Sequence, residues 1–230
     1  MRLLVSGCTA TVRALAPRWP GRLGQLLRPG NGNRPGALPW AADNAAFTGF
    51  DPARFRAFLR RLAGAPGCLF LAVPDHVGNA LGTLWSFWLW REECAATGLP
   101  LAFVGQDCAE QIELPWDYFD AYFIGGTTRW KLSRASADLA REARRRGKHV
   151  HMGRVNSYVR LAAAFDFGCD SVDGTATSRY GDRYIRAFCA RCEHLTRQQV
   201  LFPPTTGAHS RKEDAASQPA PAPAWAVGEA

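Results

Sequence analysis

The chain has 230 residues, of which 47% are hydrophobic, and this is enough apolar material for one well-packed domain. No stretch approaches the roughly 18 consecutive apolar residues that span a bilayer, so we expect no membrane partner. The formal net charge of +8 is compatible with a polyanionic partner such as nucleic acid, and equally with an arginine-rich surface that has no such partner. Seven scattered cysteines predict reduced thiols in a cytoplasmic protein rather than a disulfide framework.

Strand-like apolar runs recur along the chain, with helical stretches between them. The runs cover residues 2–7, 37–43, 68–75, 101–107, 121–126, 149–155 and 169–175. Such alternation predicts a parallel sheet covered by helices, and we expect an α/β fold of the compact (β/α)₈ TIM-like barrel type. The eighth unit is expected to be incomplete or irregular, with 198–202 as a weak candidate for the missing strand. An open doubly wound sheet is the alternative.

Four helices are predicted between these runs. In the first, Asp51 is the expected N-cap, Pro52 opens the helix, and a shared apolar face is formed by Phe55, Phe58, Leu59 and Leu62. The second, over 79–97, carries an apolar stripe that we expect to face the core, made of Leu81, Leu84, Trp85, Trp88 and Leu89. Two more are expected over 133–146 and 156–167.

The end of the chain differs in composition from the rest. Residues 207–230 are rich in alanine and proline and lack periodicity, which is typical of a disordered tail. We therefore assign residues 1–206 to the barrel domain.

Polar residues concentrate at the C-terminal ends of the predicted strands. They include Asp43, Asp75, Gln106, Asp107, the doublet Gly125 and Gly126, Gly153 and Asp173. Strand ends meet at one mouth of a parallel barrel, so these groups predict a pocket of carboxylates, an amide and exposed backbone. Such a pocket can hydrogen-bond the edge of a planar heterocycle. Any one of the acids alone would more often be a cap or a loop residue.

The segment GCDSVDGT, residues 168–175, carries two aspartates on one predicted strand. Side chains alternate between the faces of a strand, so Ser171 and Asp173 share one side while Asp170 and Val172 share the other. We therefore expect the two acids to have different roles.

Six segments together resemble the guanine transglycosylases, which exchange guanine in nucleic acid for a 7-deazaguanine. They are ADNAAFTGF (42–50), VPDHVGNA (73–80), FVGQD (103–107), FIGGTT (123–128), HMGRVNS (151–157) and GCDSVDGTATSR (168–179). The similarity covers residues 37–180 and is closest to the compact phage and bacterial deazapurine-DNA transglycosylases. These in turn resemble the queuine and archaeosine enzymes that act on tRNA.

The resemblance implies specific roles at the strand ends. Asp173 would be the nucleophile that holds the nucleotide covalently, Asp43 the acid that transfers protons, and Asp170 a structural neighbour. Base recognition would fall to Asp75, Gln106, the backbone at Gly125 and Gly126, and a sandwich of Phe47 and Met152. Taken singly, Phe47 and Met152 are more often core residues.

Basic residues after the strand ends are the expected phosphate contacts, namely Arg129, Lys131, Arg154 and Arg179. A second basic cluster, from Arg141 to Lys148, lies at the end of a predicted helix and would be at the opposite end of the barrel. The expected partners are DNA and a 7-deazaguanine base, with accessory modification proteins as further candidates.

The zinc motif of the tRNA enzymes is incomplete in this chain. Cys189 and Cys192 are present, but Ala187 stands where the first ligand should be, and His194 or His209 would have to complete the site. We therefore predict no metal or other cofactor, and DNA rather than tRNA as the substrate. The alternatives are a tRNA-directed enzyme of the same chemistry, an inactive nucleic-acid-binding paralogue and an unrelated barrel hydrolase.

Overall fold

The computed structural model describes residues 1–7 and 9–201, without the side chains of 9, 178, 179 and 198–201. The predicted tail over 207–230 lies outside the described residues. Within the described part, no helix combines the length and apolar character needed to cross a membrane.

Eight parallel strands form a closed barrel in which each strand pairs with its neighbours in chain order. They are β1 (Arg2–Ser6), β2 (Leu23–Leu27), β3 (Trp40–Ala42), β4 (Cys68–Ala72), β5 (Leu101–Gly105), β6 (Ala121–Ile124), β7 (His149–Met152) and β8 (Ser171–Asp173). Pairing of β8 with β1 closes the barrel. The prediction of a compact TIM-like α/β barrel is therefore confirmed, and the open-sheet alternative is wrong.

Seven α-helices are found in the described residues. They are α1 (Thr9–Leu15), α2 (Pro52–Leu62), α3 (Ala80–Ala95), α4 (Thr128–Lys131), α5 (Arg134–Arg145), α6 (Tyr158–Asp166) and α7 (Ala176–Leu201). No α-helix follows β2 or β5, and two short 3₁₀ turns stand in place of the second missing helix. The second and fifth units are thus irregular. In the eighth unit, which was expected to be irregular, α7 is interrupted by a kink at Gly181, whose backbone is not helical.

The strand missing from the sequence prediction is β2, whereas residues 198–201 continue α7. Its sequence, LGQLL, is short and contains Gly24 and Gln25, so it lacks the apolar run that marks the other strands. Gly24 is nevertheless required by packing, because a Cβ atom there would lie 2.6 Å from the Pro39 carbonyl oxygen. A glycine that weakens a strand by propensity here permits two barrel strands to approach.

The core has two layers, as expected for a barrel inside a ring of helices. A small cluster fills the interior and consists of Leu4, Leu26, Ala41, Phe70, Ala72, Ala102, Val104, Ala121 and Phe123. A larger cluster lies between the strands and the helices. Helix α2 belongs to this outer layer and matches the prediction, since its four predicted apolar residues are buried and the Asp51 carboxylate accepts from the N–H groups of Ala53 and Arg54.

Helix α3 contradicts most of the prediction, because four of the five residues of the stripe expected in the core face outward and only Leu84 packs against the core. Trp85 is 74% exposed and Leu89 is 75% exposed, and Leu81 and Trp88 are also exposed. The buried face instead carries Ala80, Thr83, Ser86, Phe87, Trp90 and Cys94. The helix is apolar on nearly all sides, so spacing alone did not identify its inner face, and small side chains allow that face to approach the barrel.

Candidate functional site

The C-terminal ends of the strands surround a pocket at one mouth of the barrel. It has a volume of about 70 Å³, and its lining is Asp43, Asn44, Phe47, Asp75, Val77, Val104, Gln106, Phe123, Gly125, Lys131, Gly153, Arg154 and Asp173. Nine of the residues singled out in the sequence are in this lining. Residues separated by more than a hundred positions are thus brought together by the closure of the barrel.

Asp173 ends β8 and is held on both carboxylate oxygens. The backbone N–H of Arg154 donates to Oδ1 at 2.6 Å, and His151 Nε2 lies 3.5 Å from Oδ2. Burial by itself would raise the pKa of Asp173, but the His151 hydrogen bond and charge, the Arg154 N–H and the Lys131 ammonium together lower it below its usual value. The carboxylate is therefore ionised and available as a nucleophile at neutral pH.

A hydrogen-bonded column of side chains inside the barrel leads to this carboxylate. Ser171 Oγ lies 2.8 Å from His149 Nε2 and 2.8 Å from His151 Nδ1. With both rings neutral, donation runs from His149 N–H to Ser171, from the Ser171 hydroxyl to His151, and from His151 Nε2–H to Asp173. With a protonated His151, both of its ring N–H groups donate, one to Ser171 and one to Asp173. In either state His151 presents an N–H donor to Asp173 Oδ2.

Asp43 follows β3 and has the opposite electrostatic environment. Its Oδ1 accepts from the Ala45 N–H at 3.1 Å, and its Oδ2 lies 3.5 Å from the Arg28 guanidinium. Burial and the negative charge of Asp173 nevertheless raise its pKa above the usual value. Two carboxylates at one mouth whose pKa values are displaced in opposite directions suit one to attack and the other to carry a proton.

A second polar group in the pocket is formed by Asp75, Gln106 and Asn44. Asp75 Oδ1 accepts from Asn44 Nδ2 at 2.7 Å, and Oδ2 accepts from Gln106 Nε2 at 2.6 Å. The Gln106 carbonyl accepts from the N–H groups of Gly78 at 2.9 Å and Gly126 at 2.8 Å, which fixes the orientation of the amide. Burial raises the pKa of Asp75 to about 6.

The glycine doublet shapes the pocket without supplying the predicted direct donor. The Gly126 N–H is engaged by Gln106, so Gly126 acts on the pocket through that amide. Gly125 lies in the lining, and a Cβ there would approach Gln106 Nε2 to 2.7 Å. Its lack of a side chain therefore gives Gln106 its position.

Met152 was wrongly predicted as one half of a base sandwich. It is fully buried in the outer layer between β7 and the helices, because strand alternation points it away from the interior that His151 occupies. The aromatic side chain from the neighbouring strand that lines the pocket is Phe123.

Phe47 and Arg154 lie together across the opening of the pocket. The guanidinium carbon of Arg154 is 4.3 Å from the centre of the Phe47 ring, and its Nη2 donates to the Gly126 carbonyl at 2.5 Å. Phe47 is 62% exposed. Both side chains line the pocket, so a molecule that enters it would contact this pair.

The residues predicted to contact phosphates lie in different environments in the structure. Arg129 is exposed on α4 and Arg154 lines the pocket, whereas the Arg179 side chain lies outside the described residues. Lys131 is buried, donates to the Gly153 carbonyl at 2.5 Å and has a pKa lowered by burial to about 7. Its predicted phosphate contact is corrected, because the single turn of α4 directs it back into the mouth, where its charge acts on Asp173.

Asp170 and the second basic cluster lie at the other end of the barrel. Asp170 Oδ2 accepts from the Val150 N–H at 2.8 Å, and Oδ1 lies 3.4 Å from Arg144. This agrees with the predicted structural role of Asp170 and with the predicted location of the cluster.

Cys189 and Cys192 are buried in the outer core layer. Burial raises the pKa of their thiols to about 12 and about 11 respectively. In residues 1–7 and 9–201, no three His, Cys, Asp or Glu side chains are grouped to hold a metal ion, and His209 lies beyond that range. The absence of a cofactor stays a prediction.

The residues missed by sequence reasoning are Asn44, His149, His151 and Ser171. A signal for three of them was present, since β7 and β8 pair with His151 opposite Ser171. Alternation along HVHM and SVD places both histidines and Ser171 on the same face as Asp173. Asn44 directly follows Asp43 and carries no such signal.

No protein-family model and no curated protein matches this chain. Among solved structures, one match is described as "PaMucR Phosphodiesterase, c-di-GMP complex", with 11% identity and a TM-score of 0.36. The alignment covers 71% of this chain and 64% of that chain, so this protein corresponds to just under two thirds of the other's length. At this identity and TM-score, the likeness says nothing about activity.

Proposed function

We propose that the protein exchanges guanine in DNA for a 7-deazaguanine base through a covalent aspartyl–nucleotide intermediate. The observation that carries the proposal is the pair Asp43 and Asp173, which share one pocket and have pKa values displaced in opposite directions. The motif resemblance supplies the substrate class, and the pocket chemistry is compatible with it.

In the first half of the proposed reaction, an Asp173 oxygen attacks the anomeric carbon of the nucleotide. Oδ2 is the better candidate, because Oδ1 is held by the Arg154 N–H at 2.6 Å. The glycosidic carbon–nitrogen bond breaks, its electron pair stays with guanine N9, and protonated Asp43 delivers a proton to the departing base. The sugar is left as an ester of Asp173.

The second half reverses these steps with the new base. Asp43, now ionised, removes the N9 proton of the incoming 7-deazaguanine while N9 attacks the anomeric carbon. Asp173 leaves as a carboxylate, and Asp43 is protonated again for the next cycle. One proton moves in each direction, so neither water nor a redox partner is consumed.

The remaining pocket residues suit the edge of a guanine-like base. An ionised Asp75 has lone pairs left after its two present hydrogen bonds and can accept from the ring N–H and the exocyclic amino group. Gln106 uses one N–H on Asp75, so its second can donate to the base oxygen. Phe47 lines the pocket and offers an aromatic face against which a base can stack.

The test is base exchange by the Asp173→Asn variant. Purified protein is incubated with radiolabelled guanine or a 7-deazaguanine and with duplex DNA or unmodified tRNA, and both incorporation and denaturation-resistant adducts are measured. We expect the wild type to label DNA and to form an adduct, and Asp173→Asn to do neither while it still binds DNA.

Asp170→Asn is the matched control, because it makes the same change on the same segment at the opposite end of the barrel. It should affect stability rather than exchange. Undiminished exchange by Asp173→Asn would refute the assignment of Asp173 as the nucleophile. Radiolabel found only in tRNA would leave the proposed chemistry in place but would identify tRNA, not DNA, as the substrate.

A further inference from the structure

The outer face of α3 is a large apolar surface that no other described element covers. Its exposed side chains form a ridge of Leu81, Trp85 and Leu89, spaced four residues apart on one line of the helix. Trp85 alone, three-quarters exposed, presents on the order of 180 Å². The uncharged run extends over residues 77–90, which contain no Lys, Arg, Asp or Glu. A nucleic acid is therefore not the partner of this ridge, since its phosphates require cations.

A groove of about 800 Å³ lies directly beside the ridge. Its apolar lining is Leu84, Trp88, Ile112, Trp116, Tyr118 and Leu139. Trp88 stands at the boundary, exposed on the helix and packed edge-on against Tyr118 with ring centres 5.0 Å apart. Convex and concave apolar surfaces are thus adjacent on one chain.

The groove has an acidic rim, although the chain as a whole is basic. Glu110, Glu113 and Asp117 line it, and each is exposed. Arg146 lines it too, but it is paired with Glu142 at 2.6 Å, so the lining is acidic on balance. Carboxylates at the rim can accept a hydrogen bond from an indole N–H, and a tryptophan entering the groove has one to donate. The rim can therefore complement the ridge in hydrogen bonding.

We propose that this face binds a second copy of the chain, with the ridge of each copy seated in the groove of the other. A two-fold interface uses the same patch on both subunits and must contain its own complement, which a ridge beside a groove provides. A partner of different sequence would require only the ridge or only the groove.

The available area is consistent with a stable dimer. The exposed parts of the ridge, of Trp88 and of Tyr118 amount to several hundred Å² of apolar surface. That is at or above the roughly 300–600 Å² of the largest patch on a typical monomer. It also approaches the roughly 800 Å² that each partner buries in a standard interface.

The experiment is sedimentation of the full chain under reducing conditions from about 1 to 100 µM. We expect the wild type to reach twice the chain mass of 25.2 kDa. Trp85→Glu and Leu89→Glu should each weaken association by roughly thirty-fold or more, the effect typical of a central tryptophan. Val159→Glu is the control, because it makes a similar change at an exposed apolar residue on α6.

A second variant tests the seating in the groove. Trp85→Lys places a cation against the acidic rim, whereas Trp85→Glu adds a like charge, so the lysine variant should associate more tightly than the glutamate variant at low salt. Thermal unfolding checks that both remain folded. A wild type that stays monomeric at about 100 µM, a dimer that both ridge variants leave intact, or equal association by the two Trp85 variants would overturn the proposal.

Discussion

At the scale of single residues, the mouth of the barrel makes two identical side chains behave differently. Asp43 and Asp173 share a pocket, and both are subject to burial that disfavours their charged forms. Asp173 overcomes this effect because His151, the Arg154 N–H and Lys131 all favour its ionised form. The negative charge of Asp173 further disfavours the ionised form of Asp43. The two aspartates therefore differ because their neighbours come from other elements of the barrel.

His151 is expected to set the pH at which the nucleophile ionises. Replacing it in His151→Leu removes the donor and the charge next to Asp173 Oδ2, so the pKa of Asp173 should rise and the acid limb of the kcat profile should move to higher pH. His151→Gln retains an N–H donor and should move the limb less. A lower kcat with an unchanged limb in both variants would show that His151 contributes only to packing.

Asp75 is expected to govern base recognition in a pH-dependent way. Its pKa of about 6 means that it becomes protonated as pH falls through that value and loses acceptor capacity toward the base. The kcat/KM for guanine exchange should therefore decrease below about pH 6. Asp75→Ala should lower exchange by about ten-fold or more at pH 7, at a cost of roughly 1–3 kcal/mol. The comparable change at an exposed site, Asp138→Ala, should have no such effect.

At the scale of secondary-structure elements, the β7 and β8 pair determines what lies inside the barrel. Parallel register places His151 opposite Ser171, and alternation directs His149, His151, Ser171 and Asp173 inward as one column. The column ends at Asp173, so two short strands carry both a structural network and much of the electrostatic environment of that carboxylate.

Because of this column, the free energy of unfolding should depend on pH in the acidic range. Burial lowers the pKa of His149 to about 4, whereas in the unfolded chain it is about 6.5. Between these values the folded state binds fewer protons than the unfolded state, so stability is lost as pH falls from about 6.5 toward 4. The loss from this residue should reach about 3 kcal/mol.

The measurement is urea unfolding of the wild type and His149→Gln across that range. The variant removes the titrating group, so the difference between the two curves isolates the contribution of His149 from that of the carboxylates. Parallel curves would show that His149 does not stay neutral in the folded protein.

At the scale of the whole molecule, the barrel separates two faces with different chemistry. The mouth carries the pocket with Arg154 in its lining and Arg129 exposed beside it, while α3 presents the apolar ridge on the side of the barrel. Most of the Arg141 to Lys148 cluster lies at the far end from the pocket, where Arg144 is engaged by the Gly168 carbonyl. Net charge alone therefore does not identify the face that would bind the proposed DNA substrate.

Salt dependence should locate that surface. We expect DNA binding to weaken steeply as salt rises, and Arg129→Ala to reduce the slope of log affinity against log salt by about one, the effect of losing one phosphate contact. Arg141→Ala removes the same charge at the far end of the barrel and should leave the slope unchanged. Equal slopes for all three proteins would exclude Arg129 as a phosphate contact, and the opposite order of the two variants would place the nucleic acid at the other end.

Sequence by itself determined the class of the fold, seven of the eight strands, and the polar strand ends that meet at the mouth of the barrel. These features depend on local pattern: apolar runs, helix caps such as Asp51, and polar residues directly after strands. Strand β2 was not predicted, because its Gly24 weakens the local strand pattern. The reason for that glycine is the close approach of the Pro39 backbone, which is distant in the sequence and visible only in the structure.

For α3, α4 and β7, only the tertiary structure decided which side chains lie inside. It buried Met152 and Lys131, which sequence placed in the base sandwich and on the phosphates, and it exposed Trp85 and Leu89, which sequence placed in the core. It also brought His151 to Asp173. The physical reason is common to all of these: the direction of a side chain and its electrostatic environment depend on neighbours that are distant in the chain, and those neighbours become close only when the barrel closes.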